Sequence, residues 1–276
     1  MSILTVLIDP GNFSTKYVYR HHGVVKVGSF HSIAHSYEEM EGVFNNEVKR
    51  VSFGNYDYYI GKGAARFHAN QATMYMGNIR KGHHEGIIRI IAALHEIHRE
   101  TGETSFNVIA TSPYGSMKKD REFFENKIKG QHESFIDGEL FNFNINNFRV
   151  AAEGLGALSF ATDKNCVVVD AGSMTMNILY LIDGTINATR SKTLNGGTIK
   201  NSCFSLANSF SKSCPDIDYE RTILVTGGEC EAMAKALKEI GYEGAKSVSL
   251  EEYPAYYVNV VGLFLTFEKK FEVLFV

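Results

Sequence analysis

Tryptophan is absent from this sequence of 276 residues, and proline and cysteine occur only four times each. The cysteines form no Cys-x-x-Cys pair and the ten histidines complete no metal-binding pattern, so we expect free thiols in a reducing compartment and no structural metal. No apolar run reaches the roughly 18 residues of a membrane-spanning helix, and the first residues lack the pattern of a signal peptide. These absences predict a cytoplasmic protein without a membrane segment.

Concentrated positive charge is lacking as well. The formal net charge is −3, and lysine and arginine form neither a run nor a basic tail. Direct binding to DNA needs a basic surface, so we expect no direct sequence-specific DNA binding. The P-loop motif and the glycine-rich Rossmann fingerprint are also missing, which excludes two common nucleotide folds. Hydrophobic residues make up 44% of the chain, enough to fill one large domain or two lobes.

The chain is organised around residues 167–178, which read VVVDAGSMTMNI. Three β-branched residues lead into Asp170, a turn of small residues follows, and strand-like residues return after the turn. This pattern predicts a β-hairpin with a carboxylate at its tip. Such a carboxylate is well placed to act on a phosphate group through a bound cation.

The same arrangement opens the chain. The apolar run 3–8 ends at Asp9, a turn of small and polar residues follows, and a strand-like stretch begins at Lys16. A third element, residues 223–229, predicts a strand, a Gly-Gly turn and the start of an amphipathic helix. Two such hairpins indicate a duplicated nucleotide-binding frame, and the paired glycines would let the backbone approach a flat ring or a ribose.

Together the three motifs resemble those of the actin/Hsp70/hexokinase-type ATPases. Residues 9–16 are similar to the first phosphate loop of that superfamily, residues 168–175 to the second, and residues 223–228 to the adenosine motif. The form and spacing of the loops resemble the plasmid-segregating bacterial actins of the ParM/StbA type. The resemblance implies an α/β fold of two lobes with duplicated βββαβα cores.

The resemblance also implies where the lobes lie. Residues 1–152 would form lobe I, with an inserted subdomain IB at about 31–63, and residues 153–276 would form lobe II. Only residues 199–222 separate Thr198 from the third motif, so subdomain IIB is expected to be reduced or absent. Assembly is then expected to supply part of what IIB contributes in relatives.

The motifs carry the expected site residues. By resemblance, Glu153 orients the attacking water and Asp170 is the second catalytic residue, although Glu153 also fits an ordinary glutamate at a helix N-terminus. Mg²⁺ would be held by Asp9 and Asp170, largely through water. ATP or GTP would be bound at its phosphates by Gly11, Asn12, Ser14, Thr15, Lys16, Gly172, Ser173 and Thr175, and at its nucleoside by Gly227, Gly228 and Glu229.

Periodicity and turn residues predict the other elements. Strands are expected up to residue 30, in a hairpin around Asn55, and at 106–111, 141–150 and 179–189. Helices are expected at 83–100 before Gly102, at 117–129 after an N-cap at Ser116, and at 151–158, 200–210 and 256–267. Residues 64–80 are expected to be irregular, and the apolar residues 268–276 predict a docked last strand or a subunit contact.

Three functions fit these features. The first is an ATPase that polymerises and, by family resemblance, segregates plasmid DNA through a small DNA-binding adaptor on a centromere-like site. The second is a small-molecule kinase or phosphatase of the same superfamily, although such enzymes generally carry substrate-binding inserts and this chain is short. The third is a nucleotide-gated binding module that acts without assembly.

Overall fold

The computed structural model describes residues 3–36, 48–64 and 80–268, and the chain divides into two compact units. The first unit comprises Met1–Ser112 and Ser116–Ala151, and the second comprises Pro113–Gly115 and Ala152–Val276. The segment Pro113–Gly115 therefore belongs to the second unit, although its neighbours in the sequence belong to the first. No helix in the described ranges is long and apolar enough to cross a membrane.

The described part of the first unit contains one mixed sheet and two α-helices. The strands are β1 (Leu4–Pro10), β2 (Ser14–His21), β3 (Val24–His31), β4 (Ala34–Ser36), β5 (Lys49–Phe53), β6 (Tyr56–Ile60), β7 (Ser105–Ser112), β8 (Gly130–Ile136) and β9 (Glu139–Ala152), and the helices are α1 (His84–Thr101) and α2 (Met117–Ile128). The strand order is β3-β2-β1-β7-β9-β8-β5-β6-β4.

Strand β1 lies inside this sheet and carries the first motif at its end. It pairs antiparallel with β2, where Asp9 lies opposite Lys16, and parallel with β7 on its other side. The predicted meander is confirmed, since β2 and β3 are joined by a tight turn in which His22 and Gly23 have φ of 50° and 80°. The motif is thus supported on both sides by hydrogen-bonded strands.

Helix α1 covers the core of the first unit. Its side chains Ile87, Ile88, Ile90 and Ile91 are fully buried, and each such burial contributes about 1.5–3 kcal/mol. The helix ends where the sequence predicts, because Gly102 adopts the left-handed φ of 73° and donates its N–H to a carbonyl of the last turn. The apolar stripe therefore fixes the helix on the sheet beside β1 and β2.

The described part of the second unit contains a smaller sheet and three α-helices. They are β10 (Val167–Ala171), β11 (Thr175–Ile182), β12 (Thr185–Ile186), β13 (Lys192–Asn195), β14 (Ile223–Thr226) and β15 (Ala245–Ser247), with α3 (Cys203–Ser213), α4 (Cys230–Glu239) and α5 (Val258–Glu268). The strand order is β12-β11-β10-β14-β15, and β13 also pairs with β11.

The second sheet repeats the arrangement around β1. Strand β10 pairs antiparallel with β11, which places Asp170 opposite Asn177, and it pairs parallel with β14. This repetition confirms the predicted α/β fold with a duplicated core. Residues 196–222, all of which the structure describes, contain a single α-helix and no strand, so no subdomain IIB lies between β13 and β14.

The helix predicted at 151–158 is wrong. Strand β9 continues to Ala152, and a 3₁₀ helix follows at Leu155–Phe160. A left-handed residue and a close backbone approach exclude a regular α-helix here. Gly154 has a φ of 89°, and Gly156 packs so tightly that an added Cβ would lie 1.9 Å from the carbonyl oxygen of Asn259.

Helix α2 starts at Met117 as predicted, but its predicted cap is not formed, and the start of α3 differs from prediction. Ser116 precedes α2 but makes no side-chain cap, because its hydroxyl donates to Asp120 at 2.8 Å. Helix α3 begins at Cys203 rather than near 200, since Ser202 is the residue that caps it. The predictions for residues 65–79 and for the last eight residues, 269–276, lie outside the described residues.

Candidate functional site

Asp9 stands at the end of β1 and is held by three side chains. Its Oδ2 accepts from Lys16 Nζ at 3.0 Å, and its Oδ1 accepts from Lys81 Nζ at 3.1 Å and from Thr111 Oγ1 at 2.8 Å. Burial raises the pKa of Asp9, but the two ammonium groups and the Thr111 hydroxyl lower it by more, so the pKa lies well below its usual value. The carboxylate is therefore ionised and closely surrounded by cations.

Lys81 is fixed through its backbone as well as its ammonium group. Its N–H donates to Asp120 Oδ2 at 3.0 Å, and its carbonyl accepts from the N–H of His83 at 2.9 Å. Asp120 in turn accepts from Ser112 Oγ at 2.6 Å and from Ser116 Oγ at 2.8 Å. Because the Lys81 side chain is only 5% exposed, this network holds its charge at Asp9.

The turn after β1 carries the first predicted phosphate-binding residues. A Cβ added at Gly11 would lie 2.6 Å from the carbonyl oxygen three residues later, so the turn needs glycine there. Asn12 Oδ1 accepts from Arg89 at 3.1 Å, which directs its amide NH₂ away from the guanidinium. The Thr15 hydroxyl is hydrogen bonded to Ser32 at 2.8 Å in the interior, so this hydroxyl already has a partner within the protein.

The second turn, between β10 and β11, is covered on one side by a glycine loop. The carbonyl oxygens of Gly172 and Ser173 accept from the backbone N–H groups of Thr198 and Ile199 at 3.0 and 3.2 Å. Gly197 makes this approach possible, because a Cβ there would lie 2.3 Å from the Gly172 oxygen. The glycine loop thus fixes the backbone of the turn.

The hydrogen bonds from the glycine loop determine which backbone groups of the second turn can face a ligand. In a trans peptide the N–H points opposite to the preceding C=O, and the described peptides include no cis bond. The N–H groups of Ser173 and Met174 therefore point away from the glycine loop. Two successive N–H groups on one face form an anion-binding nest. Thr175 is buried at the start of β11, and its carbonyl closes the turn by accepting from Gly172 at 2.9 Å.

Asp170 and Glu153 are brought together in the second unit by an amide. Asn177 Nδ2 donates to Glu153 Oε2 at 2.7 Å and lies 3.5 Å from Asp170 Oδ2. Both carboxylates are buried, with 7% exposure each, and Asn177 is fully buried. Glu153 lies in a turn and not in a helix, so the interpretation as an ordinary helix glutamate loses its basis.

The turn that carries Glu153 is anchored by α5. Asn259 Oδ1 accepts from the N–H of Gly154 at 3.1 Å and from the N–H of Gly156 at 3.0 Å. A Cβ at Gly154 would lie 3.1 Å from Cβ of Asp170, so the glycine also allows the turn to approach β10. Glu153 is thereby held close to Asp170 by backbone constraints.

The third motif lies next to the second turn. Gly227 has a φ of 107°, and a Cβ there would lie 2.5 Å from the carbonyl oxygen of Ala171. A Cβ at Gly228 would meet nothing within 4 Å, and Glu229 is exposed at the start of α4. Thr226 Oγ1 is buried without a hydrogen-bond partner among the described residues. The motif therefore presents an open backbone surface beside the end of β10.

A family profile described as the N-terminal domain of actin-like proteins matches residues 8–156, more than half of the chain. The chain belongs to the actin-like protein family. A comparison with curated protein sequences finds no match.

Two solved structures show which actin-like proteins are similar to this chain in sequence as well as in fold. A filament of AlfA bound to AMPPNP is 47% identical, with a TM-score of 0.94, and each chain covers 100% of the other. A filament of AlfA from a B. subtilis plasmid, pLS32, is 48% identical over 95% of this chain and 98% of that chain, with a TM-score of 0.90. The predicted resemblance to plasmid-segregating actins is confirmed, and the sequence identity of 47% and 48% shows that AlfA is the similar type among them.

A more distant structure shares the fold alone. The archaeal actin homologue Ta0583 is 18% identical over 97% of this chain and 100% of that chain, with a TM-score of 0.69.

Three residues of the actin-like site were not predicted from the sequence. Lys81 is a single lysine in a polar segment and carries no motif signal. Gly197 belongs to a Gly-Gly pair, which by itself predicts only a loop. Asn177 could have been found, because a hairpin with its turn at 172–174 pairs residues symmetrically and so places Asn177 opposite Asp170.

Proposed function

We propose that this actin-like protein binds and hydrolyses ATP and polymerises into nucleotide-dependent filaments that segregate plasmid DNA. The observation that carries the proposal is the pair of aspartate-tipped hairpins, in a chain 47% and 48% identical to AlfA proteins solved as filaments. AMPPNP, which one of those filaments binds, is an analogue of ATP. GTP carries the same phosphates as ATP and suits the same phosphate-binding groups. The assembly assay described below tests whether the protein uses it.

Phosphate binding is assigned to backbone groups and lysines of the two turns. In the second turn, the N–H groups of Ser173 and Met174 point to one face, as an anion requires. In the first, Lys16 places an ammonium group at the strand end, and Gly11 and Asn12 shape the turn beside it. We assign the nucleoside to Gly227, Gly228 and Glu229, whose open backbone lies beside β10.

The carboxylates of Asp170 and Asp9 are suited to different kinds of contact with Mg²⁺. Bound Mg²⁺ would neutralise the charge that develops on the phosphates. Asp170 offers hard oxygen atoms beside a second carboxylate, which suits that ion. Each oxygen of Asp9 already accepts from an ammonium group, so we assign Asp9 a contact through coordinated water. No group of three or more His, Cys, Asp or Glu side chains in the described ranges is arranged to hold a metal.

Glu153 is the proposed residue that orients the attacking water and accepts its proton. Glu153→Gln keeps the shape of the side chain and removes its basicity, so we expect ATP hydrolysis to fall about 100-fold or more while assembly persists. Phosphate release and sedimentation, measured on the same samples, separate the two effects. Glu231→Gln, on the exposed face of α4, is the control and should hydrolyse ATP normally. Unchanged hydrolysis in Glu153→Gln would remove the assignment.

The lobes, partners and location complete the proposal. We assign lobe I to residues 1–152, with IB at about 31–63, and lobe II to residues 153–276 without IIB. With a net charge of −3, the filament would hold plasmid DNA through a small DNA-binding adaptor on a centromere-like site. Such a filament acts in the cytoplasm, where the plasmid is.

Negative-stain microscopy and matched sedimentation test the proposal. Samples with ATP–Mg²⁺, with GTP–Mg²⁺, with ADP and without nucleotide are compared over a range of protein concentrations. We expect polymers that need a nucleoside triphosphate. Nucleotide binding without polymers at any concentration would contradict the proposal, and phosphoryl transfer by the monomer to a small molecule would favour a kinase. Nucleotide-dependent 1:1 binding to a partner would favour a binding module.

A further inference from the structure

Asn177 makes every hydrogen bond that its amide can make. Its Oδ1 accepts from Thr193 Oγ1 at 2.7 Å and from the backbone N–H of Tyr114 at 3.2 Å. Its Nδ2 donates to Glu153 at 2.7 Å and lies 3.5 Å from Asp170. An amide oxygen has two acceptor positions and an amide NH₂ has two donors, so this buried side chain is saturated.

These partners allow only one orientation of the amide. A backbone N–H can only donate, so the atom that faces Tyr114 must be Oδ1. The NH₂ group then faces the carboxylates of Glu153 and Asp170. Rotating the amide by half a turn would set NH₂ against a donor and an oxygen against two carboxylates, which leaves buried groups unpaired at a cost of about 1–3 kcal/mol each.

Thr193 links the amide to a second backbone group. Its hydroxyl donates to Asn177 and accepts from the N–H of Gly115 at 2.9 Å. Tyr114 and Gly115 belong to the short segment Pro113–Gly115 that the chain contributes to the second unit. One segment therefore fixes Asn177 twice, directly and through Thr193.

We propose that Asn177 is a positioning residue for hydrolysis, and that Thr193 and the Pro113–Gly115 segment set its amide so that it holds Glu153 beside Asp170. The inference rests on the proposed function, because it assigns these residues to the step in which Glu153 orients water. A neutral donor that hydrogen bonds to one oxygen of Glu153 fixes the plane of the carboxylate and leaves its charge intact. A lysine in the same place would neutralise that charge. Orientation of this kind governs rate more than affinity, since a displacement of 1 Å can cost about 100-fold in rate.

Thr193→Val tests the orientation with a change of one heavy atom. The variant keeps the shape of threonine and removes the hydroxyl, while the matched control Thr193→Ser keeps the hydroxyl. We expect Thr193→Val to lower the rate of ATP hydrolysis about tenfold or more with unchanged nucleotide affinity, and Thr193→Ser to hydrolyse ATP at nearly the wild-type rate. Equal rates in the two variants, whether both normal or both low, would overturn the role of the hydroxyl.

Asn177→Asp gives a readout that a merely structural residue would not move. The Asp side chain still accepts from Thr193 and Tyr114, but it turns an oxygen toward Glu153. Like charges at this distance hold a proton between them, so we expect the acid limb of the rate profile to move up by about one pH unit. A uniform loss of rate without a shift would contradict the proposal.

The same variant can be examined without nucleotide. The added carboxylate raises the folded-state pKa of the cluster above its unfolded value, so stabilisation is present below the unfolded pKa and lost as the pH rises through the folded pKa. The urea midpoint of Asn177→Asp should therefore fall with rising pH relative to wild type, and parallel curves would overturn the inference. If the wild-type protein hydrolyses no ATP, the proposed function fails and the inference with it. If the wild-type protein hydrolyses ATP and the variants behave like the wild type, the inference fails and the proposed function stands.

Discussion

At the scale of the residue, Asp9 serves both the stability of the fold and the candidate functional site. One buried carboxylate accepts from two ammonium groups and a hydroxyl, so its charge is set before any ligand arrives. A buried charge that loses a partner is costly, whereas an exposed pair contributes little. Lys81, which is buried, should therefore matter more to stability than an exposed lysine in an ion pair.

Lys81→Met tests this difference. We expect the free energy of unfolding at neutral pH to fall by about 2 kcal/mol, since Lys16 still holds the carboxylate. The stabilisation from Asp9 is present above its unfolded pKa and lost as the pH falls through its lowered folded pKa. Losing one ammonium raises that folded pKa, so acid unfolding should begin at a higher pH.

Urea unfolding at several pH values measures both effects of Lys81→Met. The control is Lys235→Met, because Lys235 is 80% exposed and its Nζ lies 4.0 Å from Glu239 on α4. That variant should change stability by less than about 0.5 kcal/mol. Equal losses in the two variants would show that Asp9 does not need Lys81.

At the scale of the element, α1 begins with an unusual cap. His83 accepts the N–H of Gly86 on Nδ1 at 3.4 Å, a bond that only the unprotonated nitrogen can make. Burial lowers the pKa of His83 to about 4, helped by the charges of Arg89 and Lys81 and opposed by Asp120. The helix that covers the core therefore starts at a group that must stay neutral.

This cap makes stability depend on pH. Because the folded pKa of His83 is about 4 and its unfolded pKa about 6.5, the unfolded state binds more protons between these values. The free energy of unfolding should thus fall by up to about 3 kcal/mol as the pH drops from 6.5 to 4. His83→Asn keeps a good N-cap and should flatten part of this slope in urea unfolding, leaving the share of His95, whose pKa burial also lowers to about 4. A slope equal to that of wild type would contradict the assignment.

Two glycines of the candidate site, Gly197 and Gly228, allow effects on packing to be distinguished from effects on nucleotide binding. A Cβ at Gly197 would meet backbone atoms of the second turn at 2.3–2.5 Å, so Gly197→Ala should lower both the melting temperature and nucleotide affinity. A Cβ at Gly228 meets nothing within 4 Å, so Gly228→Ala should keep the melting temperature and lower affinity alone. Thermal unfolding and nucleotide titration check the pair. Normal affinity in Gly228→Ala would mean that the nucleoside does not approach that backbone.

The elements also show what the sequence could predict. Local signals were sufficient for the two hairpins and for α1, because alternation, helical periodicity and Gly102 all act within a few residues. The helix expected at 151–158 failed because Asn259, over a hundred residues away, pins the backbone of Gly154 and Gly156. Lys81 was missed for the same reason, since its partner Asp9 lies 72 residues away.

At the scale of the whole molecule, the buried side chains of the described residues include two separate sets, each of which forms a core. One set comes entirely from the first unit and the other entirely from the second. Two-state unfolding is an approximation that chains with more than one core often violate. Each unit should therefore have its own transition in the absence of nucleotide.

The lack of tryptophan makes this measurable. Phe123→Trp introduces a fluorophore against the first core, and Tyr219→Trp introduces one beside Tyr242 of the second, whose ring centroid lies 4.9 Å from that of Tyr219. We expect the two single-tryptophan proteins to report different urea midpoints below the concentration of assembly. Circular dichroism of both variants should show the same curve, as a control for their stability. Coincident fluorescence midpoints would show that the cores unfold as one.

The excursion of Pro113–Gly115 into the second unit has a mechanical consequence. The polypeptide passes from one unit to the other at three points, after Ser112, after Gly115 and after Ala151. A protease that cuts the chain once after Ala151 would separate the two fragments covalently, but the first fragment would still carry Pro113–Gly115, which belongs to the second unit. A circular permutant opened at 151–152 would keep the covalent connections after Ser112 and after Gly115.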